Sequence, residues 1–163
     1  MATRFTQQNQ RFRPSSREDQ IVEKAREHFE RTLISIRGEL AGSVAALEHP
    51  NHDEALNYGE IFLRDNVPVM IYLLLQRRFS VVKQFLSVSL DLQSTTVQTR
   101  GVFPTSFVEE EGELIADYGQ RSIGRITSVD ASLWWPILCW IYVKRSGDRE
   151  FGRSQKVQRG LQL

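Results

Sequence analysis

The stretch "VDASLWWPILCWIYVKRSG", Val129 to Gly147, decides how the chain is read. Eleven apolar or proline residues run without a break from Leu133 to Val143, and all three tryptophans of the chain, Trp134, Trp135 and Trp140, lie among them. The run is too short for the ~20 residues a membrane span needs, so it is expected to be a helix buried on most sides. Ser146-Gly147 supplies its stop signal, and Pro136 is expected to kink it or fix its first turn. Asp130 stands three residues before the run, and two readings of it remain open. As a cap its carboxylate would accept backbone N–H bonds. Set against aromatics without those bonds, it could hold a proton and serve as a general acid.

Working outward, the 163 residues suffice for one domain, and 40% hydrophobic with 25% charged residues is an ordinary globular composition. A net charge of +1 gives no electrostatic reason for nucleic acid or an anionic membrane surface as partner. The single cysteine, Cys139, excludes an internal disulfide and reads as a small buried hydrophobe. Residues 1–15, polar and carrying arginines at 4, 11 and 13, read as a disordered tail, without the apolar region of a signal peptide.

Ser15 or Ser16, with Glu18 or Asp19 three residues on, can open a first helix through a capping box. Ile21, Val22, Ala25, Phe29, Leu33 and Ile36 recur within it at helical spacing up to Arg37-Gly38. Gly42 to Glu60 is a polar connection. "FLRDNVPVMIYLLLQRR" then reads as a helix capped by Asp65 or Asn66, with Pro68 in its first turn, closed by Gln76, Arg77 and Arg78. Another helix starts at Ser80. Ser94 to Thr127 is less regular and holds an acidic run, Glu109 to Glu111, expected to be a solvated loop face. "SQKVQRGLQL" is a last helical segment. The expected fold class is therefore all-α: five helices and no sheet.

His49 and His52 flank Pro50 near Asp53 and Glu54, in a spacing that fits no ordinary metal set, so no metal is expected. Neither a nucleophile elbow nor a phosphate-binding loop is present. "FLRD", Phe62 to Asp65, offers a planar donor, an acceptor and an aromatic face, a kit suited to sugar hydroxyls. From these residues alone, a capping aspartate beside a surface arginine is the favoured reading.

Four segments in order, "NYGEIFLRDNVP", "GVFPTSF", "IADYGQRSIGR" and "VDASLWW", closely resemble the alkaline/neutral invertases, a glycoside hydrolase family of cyanobacteria and plants. The resemblance extends from about Ser16 onward. It implies an (α/α)6 barrel, sucrose as substrate, an inverting mechanism and no cofactor. It implies that Asp130 is the general acid, and that Phe62, Arg64 and Asp65 line the glucosyl subsite. The chain departs from the plant form "GESAIGR" at Gln120, Arg121 and Ser122, which leaves no carboxylate at position 120. The resemblance places the general base, a glutamate, late in the family's chain, and no segment here corresponds to it. If five helices occupy 163 residues, twelve need roughly 390. Residues 16–163 are thus expected to be the N-terminal part of a cytoplasmic barrel glycosidase, truncated to a partial barrel. The alternative is a non-catalytic helical remnant that self-associates into a homo-oligomer through its apolar helices.

Overall fold

A computed structural model describes residues 16–45, 58–120 and 130–163. The expected tail over 1–15, the histidine loop with His49 and His52, and Arg121 and Ser122 lie outside the described residues. The chain divides into two units, the first ending at Arg31 and the second running from Thr32 to Leu163.

Helix α1, Arg17–Thr32, makes up the described part of the first unit. The capping box is present as expected. Ser16 N–H donates to the Asp19 carboxylate, and Asp19 N–H donates back to Ser16 Oγ, each at 3.1 Å. Two expectations about this segment are corrected. Ile21 and Val22 are exposed, and the helix stops at Thr32 instead of Arg37.

In the second unit Leu33–Ile36 (β1) and Glu39–Ser43 (β2) form an antiparallel hairpin. Arg37 and Gly38 join them with positive φ at both positions (54° and 79°), the geometry of the tight hairpin turn whose twist matches its strands. Ile61–Phe62 (β3), Ser106–Glu110 (β4) and Glu113–Asp117 (β5) make a three-stranded antiparallel sheet, again with a two-residue left-handed turn, Glu111-Gly112, between β4 and β5. The all-α expectation is therefore corrected: the described residues are mostly helical but carry two small sheets. The acidic run is corrected in part: Glu110 and Glu111 are exposed as expected, but Glu109 and Glu110 belong to a strand and not to a loop. Glu109 lies in β4 and its carboxylate accepts the Arg37 N–H at 2.7 Å, tying the tip of one hairpin to the other sheet.

The core is helical. Helices α2 (Leu63–Leu75), α3 (Phe79–Asp91) and α4 (Ala131–Ser146) pack on one another. Leu63, Met70, Leu73, Val82, Phe85, Leu86, Trp135 and Leu138 are fully buried between them, with Phe107 of β4 beneath. Strand β2 lies against α3, and at Gly42 its backbone comes so close to β3 that an added Cβ would sit 2.7 Å from the Ile61 side chain. Helix α2 starts at Leu63, earlier than either cap proposed from sequence. Asn66, offered as a cap, is instead a buried clamp. Its Oδ1 accepts from Ser43 N–H at 2.7 Å, and its Nδ2 donates to the carbonyls of Ser43 and Phe62, both at 2.9 Å. Short α5 (Arg149–Arg153) and α6 (Gln155–Gln162) follow the tryptophan helix.

Helix α2 ends in a paired turn in which Arg78 N–H reaches Leu73 C=O at 2.9 Å and Arg77 N–H reaches Leu74 C=O at 3.2 Å. Arg77 holds φ 59°, a region that costs a side-chain-bearing residue about 1 kcal/mol and glycine nothing. Arg77→Gly is expected to raise stability by about 0.5–1 kcal/mol, measured as an increased urea midpoint at unchanged slope.

Asp148 knits the lower end of α4 to α3. It accepts from Lys83 Nζ at 2.8 Å, Tyr142 OH at 2.9 Å and Phe151 N–H at 2.9 Å. The Lys83 contact foremost, then the Phe151 N–H, hold its carboxyl down at about 2. Because the folded value lies below the unfolded one, this contribution is complete above about pH 4 and is lost as pH falls through the folded value. The free-energy gap between wild type and Asp148→Asn, from denaturant unfolding, should be constant above about pH 4 and shrink toward pH 2.

Candidate active site

The candidate residues sit where the N-terminal ends of α2 and α4 meet. Strand β3 runs directly into α2, with Phe62 extended (φ −78°, ψ 122°) at the junction. Leu63 N–H is held by Thr105 C=O at 3.0 Å, and the Asn66 clamp fixes the same turn from the β2 side. With Leu63, Asn66 and Val67 turned inward, helical geometry leaves Arg64 and Asp65 pointing outward.

Helix α4 is located just as firmly. The Asp130 carbonyl accepts from Leu133 and Trp134 N–H, both at 3.0 Å, so Asp130 occupies the cap position through its backbone. Its side chain makes no capping hydrogen bond to the helix. The next turn is tethered by Ser132, whose Oγ accepts the Phe103 N–H at 3.1 Å.

This placement brings three sequence-predicted residues together. Arg64 Nε donates to Asp65 Oδ1 at 3.3 Å, and Arg64 Nη1 lies 3.9 Å from Asp130 Oδ1. One guanidinium therefore faces two carboxylates contributed by two helices. Of the two readings of Asp130, the side-chain cap is the one the geometry does not support. Phe62, the fourth predicted residue, makes no contact in this triad. It lines an adjoining cleft of about 190 Å³ together with Asp65, Glu60, Val44 and Asn66. Asp65 thus belongs to both groups.

Sequence reasoning missed Glu60. It is only 5% exposed, accepts from Ser106 Oγ at 2.6 Å and borders the cleft beside Phe62 and Asp65. The signal was present in "YGEIF": an acid one residue before a buried strand has to be paired or face a pocket. Cys139, by contrast, is as expected. It is buried, and burial pushes its thiol up to about 11, which makes it inert at neutral pH.

The chain matches the family model described as "Alkaline and neutral invertase" over residues 25–163. It belongs to the alkaline and neutral invertase family. Among curated relatives it is 35% identical over 155 residues to alkaline/neutral invertase CINV2 of Arabidopsis thaliana, covering 88% of this chain and 28% of that protein. It is 34% identical to cytosolic invertase 1 of Oryza sativa subsp. japonica, covering 88% and 27%. It is 36% identical over 150 residues to the same species' neutral/alkaline invertase 1, mitochondrial, covering 82% and 24%. The chain therefore spans less than a third of the length of these invertases. Their names place them in different compartments. No helix among the described residues of this family member is long and apolar enough to cross a membrane.

The pairs around Arg64 are exposed, with 56% of its side chain accessible, and such pairs contribute at most ~1 kcal/mol. Arg64→Ala and Asp65→Asn are each expected to leave Tm within about 2 °C of wild type by calorimetry. A larger fall would show the triad to be a structural brace.

Proposed function

We propose that this chain is part of a sucrose-cleaving glycoside hydrolase acting with inversion. The observation that carries the reading is the Asp130 carboxylate. It stands at the start of α4 without capping the helix and is turned toward Arg64 across the α2–α4 junction. Asp130 protonates the glycosidic oxygen as the bond to the anomeric carbon breaks. Arg64 and Asp65 bind hydroxyls of the glucosyl unit, the planar guanidinium donating and the carboxylate accepting. Phe62 offers an apolar face to the sugar ring. No cofactor is invoked, because two carboxylates and a sugar-binding surface suffice for the reaction.

Inversion needs a second carboxylate, ~6.5–9.5 Å from the acid, to activate water on the opposite face of the sugar. The family resemblance assigns that base to a glutamate beyond these 163 residues. In this reading the helices are the first part of an (α/α)6 barrel, and the enzyme works in the cytoplasm on a small sugar. The chain by itself holds the acid and the glucosyl contacts without the base.

The reading is tested by titrating the 163-residue chain with sucrose in a calorimeter and following glucose release in parallel. Weak sucrose binding is expected, reduced at least ~10-fold by Asp65→Asn and by Arg64→Ala, the size of a lost charged hydrogen bond. Hydrolysis should be absent or far below that of a full-length relative. Binding indifferent to both substitutions would overturn the subsite. Full turnover abolished by Asp130→Asn would place the base within this chain.

A further inference from the structure

Glu60 immediately precedes β3, and together with Phe62 it flanks Ile61, which is fully buried. Successive side chains of an extended segment point to opposite faces, so with Ile61 turned into the core Glu60 and Phe62 share the other face. Both line the cleft of about 190 Å³ at the start of α2. Asp65 reaches the same cleft from the first turn of the helix, and Val44 and Val69 add apolar wall. The space is that of about six waters at ~30 Å³ each, room for one monosaccharide ring and not for two.

The polar groups around this cleft differ in what they can offer a ligand. The Asn66 amide is spent on the Ser43 N–H and on the Ser43 and Phe62 carbonyls, and the Ser43 hydroxyl is paired with Thr32 Oγ1 at 2.7 Å. The Glu60 and Asp65 carboxylates are the remaining acceptors among the lining side chains. A carboxylate accepts at about four positions, so the Ser106 hydroxyl, at 2.6 Å, orients Glu60 without exhausting it. Ser106 is also the register partner of Phe62 across β3 and β4, so one residue backs both the carboxylate and the aromatic ring. No lysine, arginine or histidine among the described residues lines the cleft. Two acceptors beside apolar carbon suit a neutral ligand that donates hydroxyls and carries a C–H face, and they repel an anion.

We propose, on the sucrose reading above, that Glu60 is a specificity-determining residue whose carboxylate accepts a hydroxyl of the glucosyl ring seated against Phe62 and Asp65. The cleft touches Asp65 but neither Arg64 nor Asp130. A ring held there turns its glycosidic end toward Asp130 and gives Glu60 a hydroxyl remote from the bond that is cleaved. Glu60 is only 5% exposed and is anchored to β4, so its carboxylate is a fixed acceptor in a water-poor wall. Such an acceptor discriminates strongly, because a ligand without the matching hydroxyl leaves that position unmet.

Calorimetric titration of the 163-residue chain with sucrose, and with sucrose analogues each lacking one hydroxyl of the glucosyl ring, tests this. Glu60→Gln is the informative change: its amide oxygen can still accept from Ser106, while its NH₂ replaces an acceptor toward the cleft. Circular dichroism confirms that each variant is folded. Glu60→Gln is expected to weaken sucrose binding at least ~10-fold. One analogue should bind wild type at least ~10-fold worse than sucrose does, yet bind Glu60→Gln as well as sucrose does, the non-additivity of two groups in contact. Ser106→Ala, which keeps the carboxylate but removes its orienting hydroxyl, should show the same selectivity in weaker form, about 3-fold. Sucrose binding that depends on Asp65 but is unmoved by Glu60→Gln would overturn the role of Glu60 and leave the sucrose reading standing. A loss of equal factor for sucrose and for every analogue would also overturn it, giving Glu60 a purely structural part. A folded wild type that binds no sucrose would overturn both.

Discussion

The arrangement depends on how Trp135 is held. Its indole N–H donates to Ser89 Oγ at 2.9 Å, with the Leu86 carbonyl at 3.3 Å, while its ring stacks on Phe103 with centroids 5.0 Å apart. Ser89 can accept because its own hydroxyl proton is committed to the Phe85 carbonyl at 2.7 Å. A large apolar surface and its one polar atom are thus both satisfied inside the core, the condition for burying a tryptophan without penalty. Phe103 is also the residue whose N–H meets Ser132, so one loop residue grips α4 at two successive turns. With rotation and register of α4 fixed against α3, Asp130, five residues before Trp135, has no choice but to emerge beside the start of α2.

The candidate site and the groups that stabilise the fold are separated in space. The candidate residues Arg64, Asp65 and Asp130 are exposed, and their ion pairs contribute little to folding. The groups that aim them, Asn66, Ser132, Trp135 and Thr105, are mostly buried and spend their hydrogen bonds on neighbouring backbone and side chains. A site built on helix ends supported from below holds its geometry without needing strong ion pairs of its own.

The parts that were legible in the sequence are those where local signals and tertiary packing agree. The Ser16–Asp19 box, the glycine stop at Gly147 and the last helix after Ser154 each follow from a cap residue in place. The hairpins were concealed by particular residues. Arg37 and Glu111 occupy left-handed turn positions usually given to asparagine, aspartate or glycine, so neither turn announced itself. The β1–β2 ladder is irregular between Ile34 and Ser35, and Leu33 and Ile36 are both buried three residues apart, a spacing a helix shares. Counting from Phe29 therefore carried the helix too far. In α4 the apolar run is continuous, so periodicity could not show that Trp135 is buried and Trp140 exposed. The site was legible differently. Ordered motifs nominated Arg64, Asp65 and Asp130, but their convergence across 65 positions of sequence is a product of the α2–α4 packing and appears only in three dimensions. Glu60 escaped because its pairing with Ser106 joins strands far apart in the chain.

Native-state hydrogen exchange of the indole protons, followed by NMR, tests the Trp135 clamp most directly. The three tryptophans should separate: the Trp135 N–H should exchange only through global opening, with a denaturant dependence matching that of unfolding. The Trp140 N–H, on a side chain 63% exposed, should exchange at close to the rate of a free indole. Rapid, denaturant-independent exchange at Trp135 would contradict the account, because α4 would then have no fixed register from which to present Asp130.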